Sequence, residues 1–319
     1  MKYILFGAGG RGINALYFLG SENVYCFCDN VQAGNVIEGK KVVSFDELKK
    51  IHQSYTVIIT TSNGKYMVEI ALKLRQSEIS FVLFEDEADK YIEKDFQQYE
   101  ALNKRVNFRP NKKYSYPICW DKGDQAGNIG SYFYQDLWAA KKIFVAQPEE
   151  HYDIGSRVDG FIAHLLSFRK NIKLLDIRPL ESKISGVDFI QCDATNLDNI
   201  PDNSIESLSA LCSLEHFGLG RYGDPIDPEA CFKCFAAIQK KIKKNGKIYI
   251  SLPVGKEHIE FNAHRVFYAE TIVRAFDGMV LEEYSTTFGE NIDYNVDVHA
   301  HDEVTAKGGN LFGLFVFKK

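Results

Sequence analysis

HYDIGSRVDGF (151–161) opens the stretch that decides the fold, and three segments complete it: KLLDIRPL (173–180), FIQCDATNL (189–197) and SIESLSALCSLEHFG (204–218). Each holds an apolar run of the length of a buried strand, and each run ends on a glycine or a polar residue. Between the first two, Phe161 to Phe168 reads as an apolar helix. Strands alternating with such segments predict a parallel sheet. Its carboxyl edge, where open α/β sheets bind ligands, then receives Asp153, Gly155, Ser156, Asp176, Asp193, Ala194, Glu215 and His216. Gly155 lets another group approach the backbone, and the helix after it offers free N–H groups. Asp176 stands where a carboxylate accepts hydrogen bonds from ribose hydroxyls. Together these residues predict a nucleoside pocket.

A glycine turn after strand one, an acid after strand two, Asp-Ala after strand three and SLEH after strand four form an order that resembles the class I S-adenosylmethionine-dependent methyltransferases. KKNGKIYISLPVG (243–255), YAETIVRAF (268–276), MVLEEYSTTF (279–288) and NLFGLFVFKK (310–319) continue the likeness to a seventh strand. The resemblance implies that the glycine turn faces the methionine part of S-adenosylmethionine. It also implies that Asp176 holds the ribose and that Asp193 and Ala194 border the adenine. Within this class, SLEHFGLGRYGDPIDP (213–228) is similar to a bacterial family of methyltransferase-like domains of unknown function, associated with surface-polysaccharide gene clusters. The first turn departs from the usual pattern, with only Gly155 and Gly160 where several close glycines are customary.

The chain begins with a second nucleotide-fold signature. KYILFGAGGRGINALYFLG (2–20) is a strand, a Gly7-x-Gly9-x-x-Gly12 turn and a helix, and VYCFCDN (24–30) a strand ending in Asp29. The glycines give a tight turn and close backbone approach to a phosphate, and Asp29 is placed for a ribose hydroxyl. A short strand at Val42 and Val43, a helix capped near Ser44, the strand YTVIITTS and a further helix and strand follow. This order resembles the small N-terminal domains of bacterial nucleotide-sugar-modifying enzymes, acetyltransferases and dehydratases among them, which implies a nucleotide or nucleotide sugar as ligand. A glycine turn also serves simply to let a strand meet a helix, so a scaffold role stays open.

Residues 87–147 read as a helical, aromatic-rich connector, with Tyr114, Tyr116, Trp120, Tyr132 and Trp138 either covering the site or packing a junction. The glycine- and proline-bearing loop 216–230 is expected on the acceptor side, where Arg221 and Asp224 could grip a hydroxyl or phosphate. His216, with Glu215, is the candidate base for an acceptor hydroxyl, and His264 a candidate acceptor contact. Cys231 and Cys234 share a helix face and read as core cysteines. His299 and His301 would share one face if they lay on a strand, with Asp297 or Asp302 to supply a third metal ligand, but the expected reading is a solvated loop between strands six and seven, and no metal is assigned.

The expected fold is α/β: an N-terminal Rossmann-like parallel sheet (1–86), the connector (87–147) and a C-terminal class I methyltransferase-like, seven-stranded, doubly wound sheet (148–319). A net charge of -5 argues against a general nucleic-acid binder. Seven cysteines do not form a disulfide framework, and the sequence offers neither a leader nor a long apolar span, so the expected compartment is the cytoplasm. The expected activity is methyl transfer from S-adenosylmethionine to a carbohydrate or nucleotide sugar in surface polysaccharide biosynthesis. The alternatives are a non-catalytic sugar-nucleotide binder and an NAD(P)-dependent oxidoreductase working through the N-terminal glycines. Oligomeric state is not legible.

Overall fold

The computed structural model describes residues 2–61, 63–119, 121, 129–168, 171–289, 291–305 and 311–319. The chain forms two compact units, Met1–Asn128 and Ile129–Lys319.

The first unit carries β1 (Tyr3–Phe6), α1 (Gly10–Leu19), β2 (Val24–Cys28), β3 (Val36–Ile37), β4 (Lys40–Val43), α2 (Phe45–Ile51), β5 (Thr56–Ile59), α3 (Gly64–Gln76), β6 (Phe81–Leu83) and α4 (Phe84–Leu102). Its sheet order is β3-β4-β2-β1-β5-β6, so the chain reverses direction across the sheet between β1 and β5. All four residues of β1 are buried because helices cover both faces. Ser44 and Glu47 form a reciprocal capping box that starts α2. The glycine turn has a steric cause: a Cβ on Gly12 would lie 2.0 Å from the Gly7 carbonyl oxygen. Gly12 is thus where helix α1 rests on the turn that precedes it.

The second unit carries α5 (Ser131–Ala146), β7 (His151–Ile154), α6 (Ala163–Leu166), β8 (Ile172–Asp176), β9 (Val187–Gln191), β10 (Ile205–Leu211), α7 (Ala230–Lys241), β11 (Ile242–Pro253), β12 (His258–Glu260), β13 (His264–Val266), α8 (Ala269–Ala275), β14 (Val280–Phe288), β15 (Asn291–Asp293) and β16 (Leu311–Lys318). The main sheet runs β15-β14-β16-β11-β10-β7-β8-β9. Five strands from β9 to β11 are parallel, and β16 lies antiparallel between β11 and β14. The sheet has eight strands where seven were expected, because β15 turns back on the end of β14. β7 and β10 flank the reversal of the sheet, the place where a crevice opens in such folds. One face is packed by α7 through Cys234, Phe235 and Ile238, the other by α5 and α6 through Trp138, Ile143 and Leu165.

Within the segment 87–147, expected as a helical, aromatic-rich connector, Ala88, Tyr91 and Ile92 of α4 pack into the first unit's core, and Trp138, Ala139 and Ile143 of α5 into the second's. The helix expected from Phe161 to Phe168 opens as a π turn, Val158–Ile162, and continues as the short α6 to Leu166. Gly160 sits in that turn, where a Cβ would lie 2.8 Å from the Asp136 carboxylate of α5.

Gly12→Ala is expected to cost roughly 1–3 kcal/mol of stability, the scale of overpacking against backbone. Gly10→Ala, whose Cβ position is open, should be neutral or stabilising by up to about 1 kcal/mol. Urea unfolding of both variants checks the contrast.

Candidate functional site

A cavity of about 160 Å³ lies at the carboxyl ends of β7 to β10. Its walls bring together Gly155, Asp176, Asp193, Ala194, His216 and Asp224 from the sequence reading. Gly155 is required there: its φ is +69°, and a Cβ would press on the Ser213 side chain at 3.1 Å. Ser213 donates to the Ile154 carbonyl at 2.6 Å, so the turn after β7 and the end of β10 close directly on one another.

Asp153 and Ser156, expected to touch a cofactor, are instead buried away from the cavity walls. Asp153 accepts from the Ser156 backbone N–H at 3.0 Å, from Ser156 Oγ at 2.8 Å and from Ser209 Oγ at 2.5 Å. Ser156 Oγ in turn accepts from the Leu211 N–H, and His151 sits between Ser207 and Ser209 with 2.8 Å contacts on each ring nitrogen. A fully buried carboxyl is held by three donors because an unpaired one would be costly. Its role is to lock β7 and its turn to β10.

Asp176 faces the cavity with its carboxylate already engaged. Arg178 donates to it from Nε at 3.0 Å, from Nη2 at 2.6 Å and from its backbone N–H at 2.8 Å. The Arg178 guanidinium lies 4.5 Å from the centre of the Tyr222 ring, so the β8 wall meets the 216–230 loop across the cavity. Arg178 and Tyr222 were missed in the sequence. The signal available was an arginine two residues after the strand-ending acid, within reach of its carboxylate.

The loop itself is held by internal groups. Asp224, expected to grip substrate, has both oxygens taken by the backbone N–H groups of Gly218, Gly220 and Tyr222. Gly218 is obligatory, since a Cβ would lie 1.9 Å from the Asp227 carbonyl oxygen. Arg265, buried, donates to the carbonyls of Glu215, Phe217 and Pro228 and clamps the loop from behind.

Glu215, His216 and His264 gather beside the cavity, although only His216 lines it. His216 Nδ1 donates to the Ala263 carbonyl at 2.6 Å, Nε2 lies 3.4 Å from Glu215 Oε1, and the Cys212 backbone is a further hydrogen-bond partner of the ring. Burial, with help from Arg221, pushes His216 down to about 4, so its imidazole is neutral at pH 7. Burial pushes Glu215 up to about 8, so it keeps its proton there. Glu215 Oε2 and His264 Nε2 are buried without a hydrogen-bond partner. Arg221 donates to the Ala263 carbonyl at 3.0 Å and is exposed at the loop surface. A neutral imidazole beside a neutral carboxyl can accept a proton from a group that acidifies as it reacts.

The first unit has an open cleft of about 660 Å³ at its own sheet reversal. Gly7, Gly9, Gly12 and Asp29 line it, with Arg11, Tyr66 and Lys73. Asp29 accepts from the backbone N–H groups of Ala8, Val31 and Gln32, so its carboxylate shapes the turn that it was expected to leave free.

Elsewhere, Cys231 and Cys234 are buried, and burial pushes both thiols up, away from thiolate chemistry. His299 and His301 fall in a turn before β16, bonded to Asp302 and Thr286. Tyr114 and Tyr116 are exposed, Trp138 is core, and Trp120 lies outside the described residues. Among the described residues no helix is long and apolar enough to cross a membrane.

Burial also pushes Asp153 up to about 7, so between pH 4 and its folded value, as for Glu215, the folded chain holds a proton that the unfolded chain has released. The depressed His216 and His264 act in the opposite sense, but their contribution is complete above the unfolded histidine value of about 6.5. Stability should therefore fall as pH rises from about 6.5 to 8, and Glu215→Gln should flatten the fall. Thermal midpoints across that window check it, and a wild-type midpoint that rises would contradict it.

Residues 164–312 match the family described as "Caenorhabditis protein of unknown function, DUF268". No curated protein matches the chain. Among solved structures, the chain is similar to a Burkholderia thailandensis 1,6-didemethyltoxoflavin-N1-methyltransferase with bound S-adenosylhomocysteine, at 14% identity and TM-score 0.42, over 73% of this chain and 89% of that one. It is similar to the N-methyltransferase NodS from Bradyrhizobium japonicum WM9 at 11% identity and TM-score 0.41, over 71% and 97%. It is also similar to the [4+2]-cyclase SpnF at 13% identity and TM-score 0.42, over 59% and 81%.

Proposed function

We propose that the second unit binds S-adenosylmethionine and transfers its methyl group to an oxygen or nitrogen of a carbohydrate or nucleotide sugar, in the assembly of a surface polysaccharide. The observation that carries this reading is the convergence of Gly155, Asp176, Asp193 and Ala194 on one cavity at the sheet reversal. Those residues fit a nucleoside: a backbone turn without a Cβ, a carboxylate for ribose hydroxyls, and an apolar edge at Ala194. The cofactor supplies an electrophilic methyl group. Gly155 gives the methionine part room, Asp176 orients the ribose, and the neutral His216 Nε2 receives the proton that the acceptor loses. An imidazole titrating near 4 is a weak base. It suffices where the acceptor becomes strongly acidic as its new bond to carbon forms. Alignment of the two reactants supplies most of the acceleration.

The first unit, in this account, binds a nucleotide or nucleotide sugar of its own in the cleft lined by Gly7, Gly9, Gly12 and Asp29. One observation favours a second reading, a sugar-nucleotide binder without methyl transfer: the Asp176 carboxylate is already held in a two-pronged pair by Arg178.

Calorimetric titration with S-adenosylhomocysteine separates the two. The methyltransferase reading expects binding by the wild type, weakened about tenfold or more in Asp176→Ala, the scale of a lost charge-assisted hydrogen bond. Binding unchanged by the substitution sinks the ribose assignment, and no binding by the folded wild type favours the non-catalytic reading.

A further inference from the structure

We propose that the Asp136 carboxylate, on α5 beside the glycine turn that follows β7, anchors the ammonium group of the cofactor's methionine part. This deepens the methyltransferase reading and rests on it for the identity of the cation.

Asp136 is set in place from the ends of the strands. Gln135 Oε1 accepts from Ser251 Oγ of β11 at 2.7 Å and from Cys212 Sγ, at the end of β10, at 3.1 Å. With its amide oriented in this way, Gln135 Nε2 donates to Asp136 Oδ1 at 3.1 Å. Among the described residues that is the one hydrogen bond the carboxylate receives, and Oδ2 has no partner although the residue is only 8% exposed. Oδ2 faces the turn: a Cβ on Gly160 would lie 2.8 Å from it, so the absence of a side chain there leaves it uncovered. The other end of the same turn, Gly155, lines the nucleoside cavity. Asp136 is not in the cavity wall. It stands past the Gly155 end, the direction in which the methionine part extends once a nucleoside fills the cavity.

No cation of the chain takes this place. Arg157, in the turn, directs Nε and Nη2 to Asp159 at 3.2 and 2.9 Å, and His164 of α6 is the other basic neighbour. Asp153, also at the turn, has three donors already and is closed to a ligand. Burial pushes Asp136 up to about 6, which leaves it ionised at pH 7. A buried carboxylate short of donors is costly, and it is completed by a group that brings both positive charge and N–H donors. The sulfonium of the cofactor has charge without donors, whereas the ammonium has both.

The test is calorimetric titration of the full chain and of Asp136→Asn with three ligands: S-adenosylhomocysteine, its deaminated analogue with hydrogen in place of the amino group, and 5′-methylthioadenosine, which lacks the tail. The expected result is that the wild type prefers S-adenosylhomocysteine to the deaminated analogue about tenfold or more, the scale of a charge-assisted hydrogen bond, and that Asp136→Asn loses this preference. Methylthioadenosine should bind both proteins equally, which also shows that the variant is folded. Should Asp136→Asn fail to fold, Asp136→Ser is the second variant. Equal weakening of all three ligands in the variant, a preference that survives the substitution, or a wild type without the preference overturns the anchor and leaves the cofactor site standing. Failure of the folded wild type to bind any of the three removes the methyltransferase reading and the anchor with it.

Discussion

The hydrogen bonds of the buried Asp153 carboxyl fix the geometry on which the second unit depends. They join Ser156, in the turn after β7, to Ser209 of β10, the two strands between which the sheet reverses. With that join in place, Gly155, at φ +69°, packs so closely on Ser213 that a Cβ would press on it at 3.1 Å, and both residues line the cavity. An isolated buried carboxyl would be destabilising, and its three donors make it specific instead. The residues at the cavity surface inherit their positions from groups no ligand would touch.

The second constraint is electrostatic. The loop after β10 is tied down by Asp224 within it and by Arg265 behind it, both through backbone groups. Arg221 and Tyr222 remain exposed on the loop, while His216, buried beside the cavity, is neutral at pH 7. The cavity wall itself carries Asp176, Asp193, Asp224 and Asp227, with Arg178 paired to Asp176.

Much of this was legible in the sequence because it is written in strand length and strand ends. The four apolar runs of 151–218 each became a parallel strand, and Gly155, Asp176, Asp193 and Ala194 do share one cavity. Side-chain direction was not legible. Asp153 and Ser156 stand beside Gly155 in the chain yet point into the sheet, and Asp224 looks like a ligand group but folds its own loop. Arg178 escaped notice because its importance comes from Tyr222, 44 residues away in sequence and adjacent only in the fold. Which core each part of 87–147 joins was not legible for a similar reason: the apolar residues of α4 and α5 are ordinary core residues, assigned to different units by contacts that no local pattern encodes.

The most direct test of the account is a crystal structure of the full chain with S-adenosylhomocysteine. The account predicts the nucleoside in the cavity between β7 and β10, with its ribose hydroxyls on the Asp176 carboxylate and its amino-acid part against Gly155. Density for the ligand in the cleft of the first unit, or in the cavity with Asp176 still closed on Arg178 and no ribose contact, would contradict it.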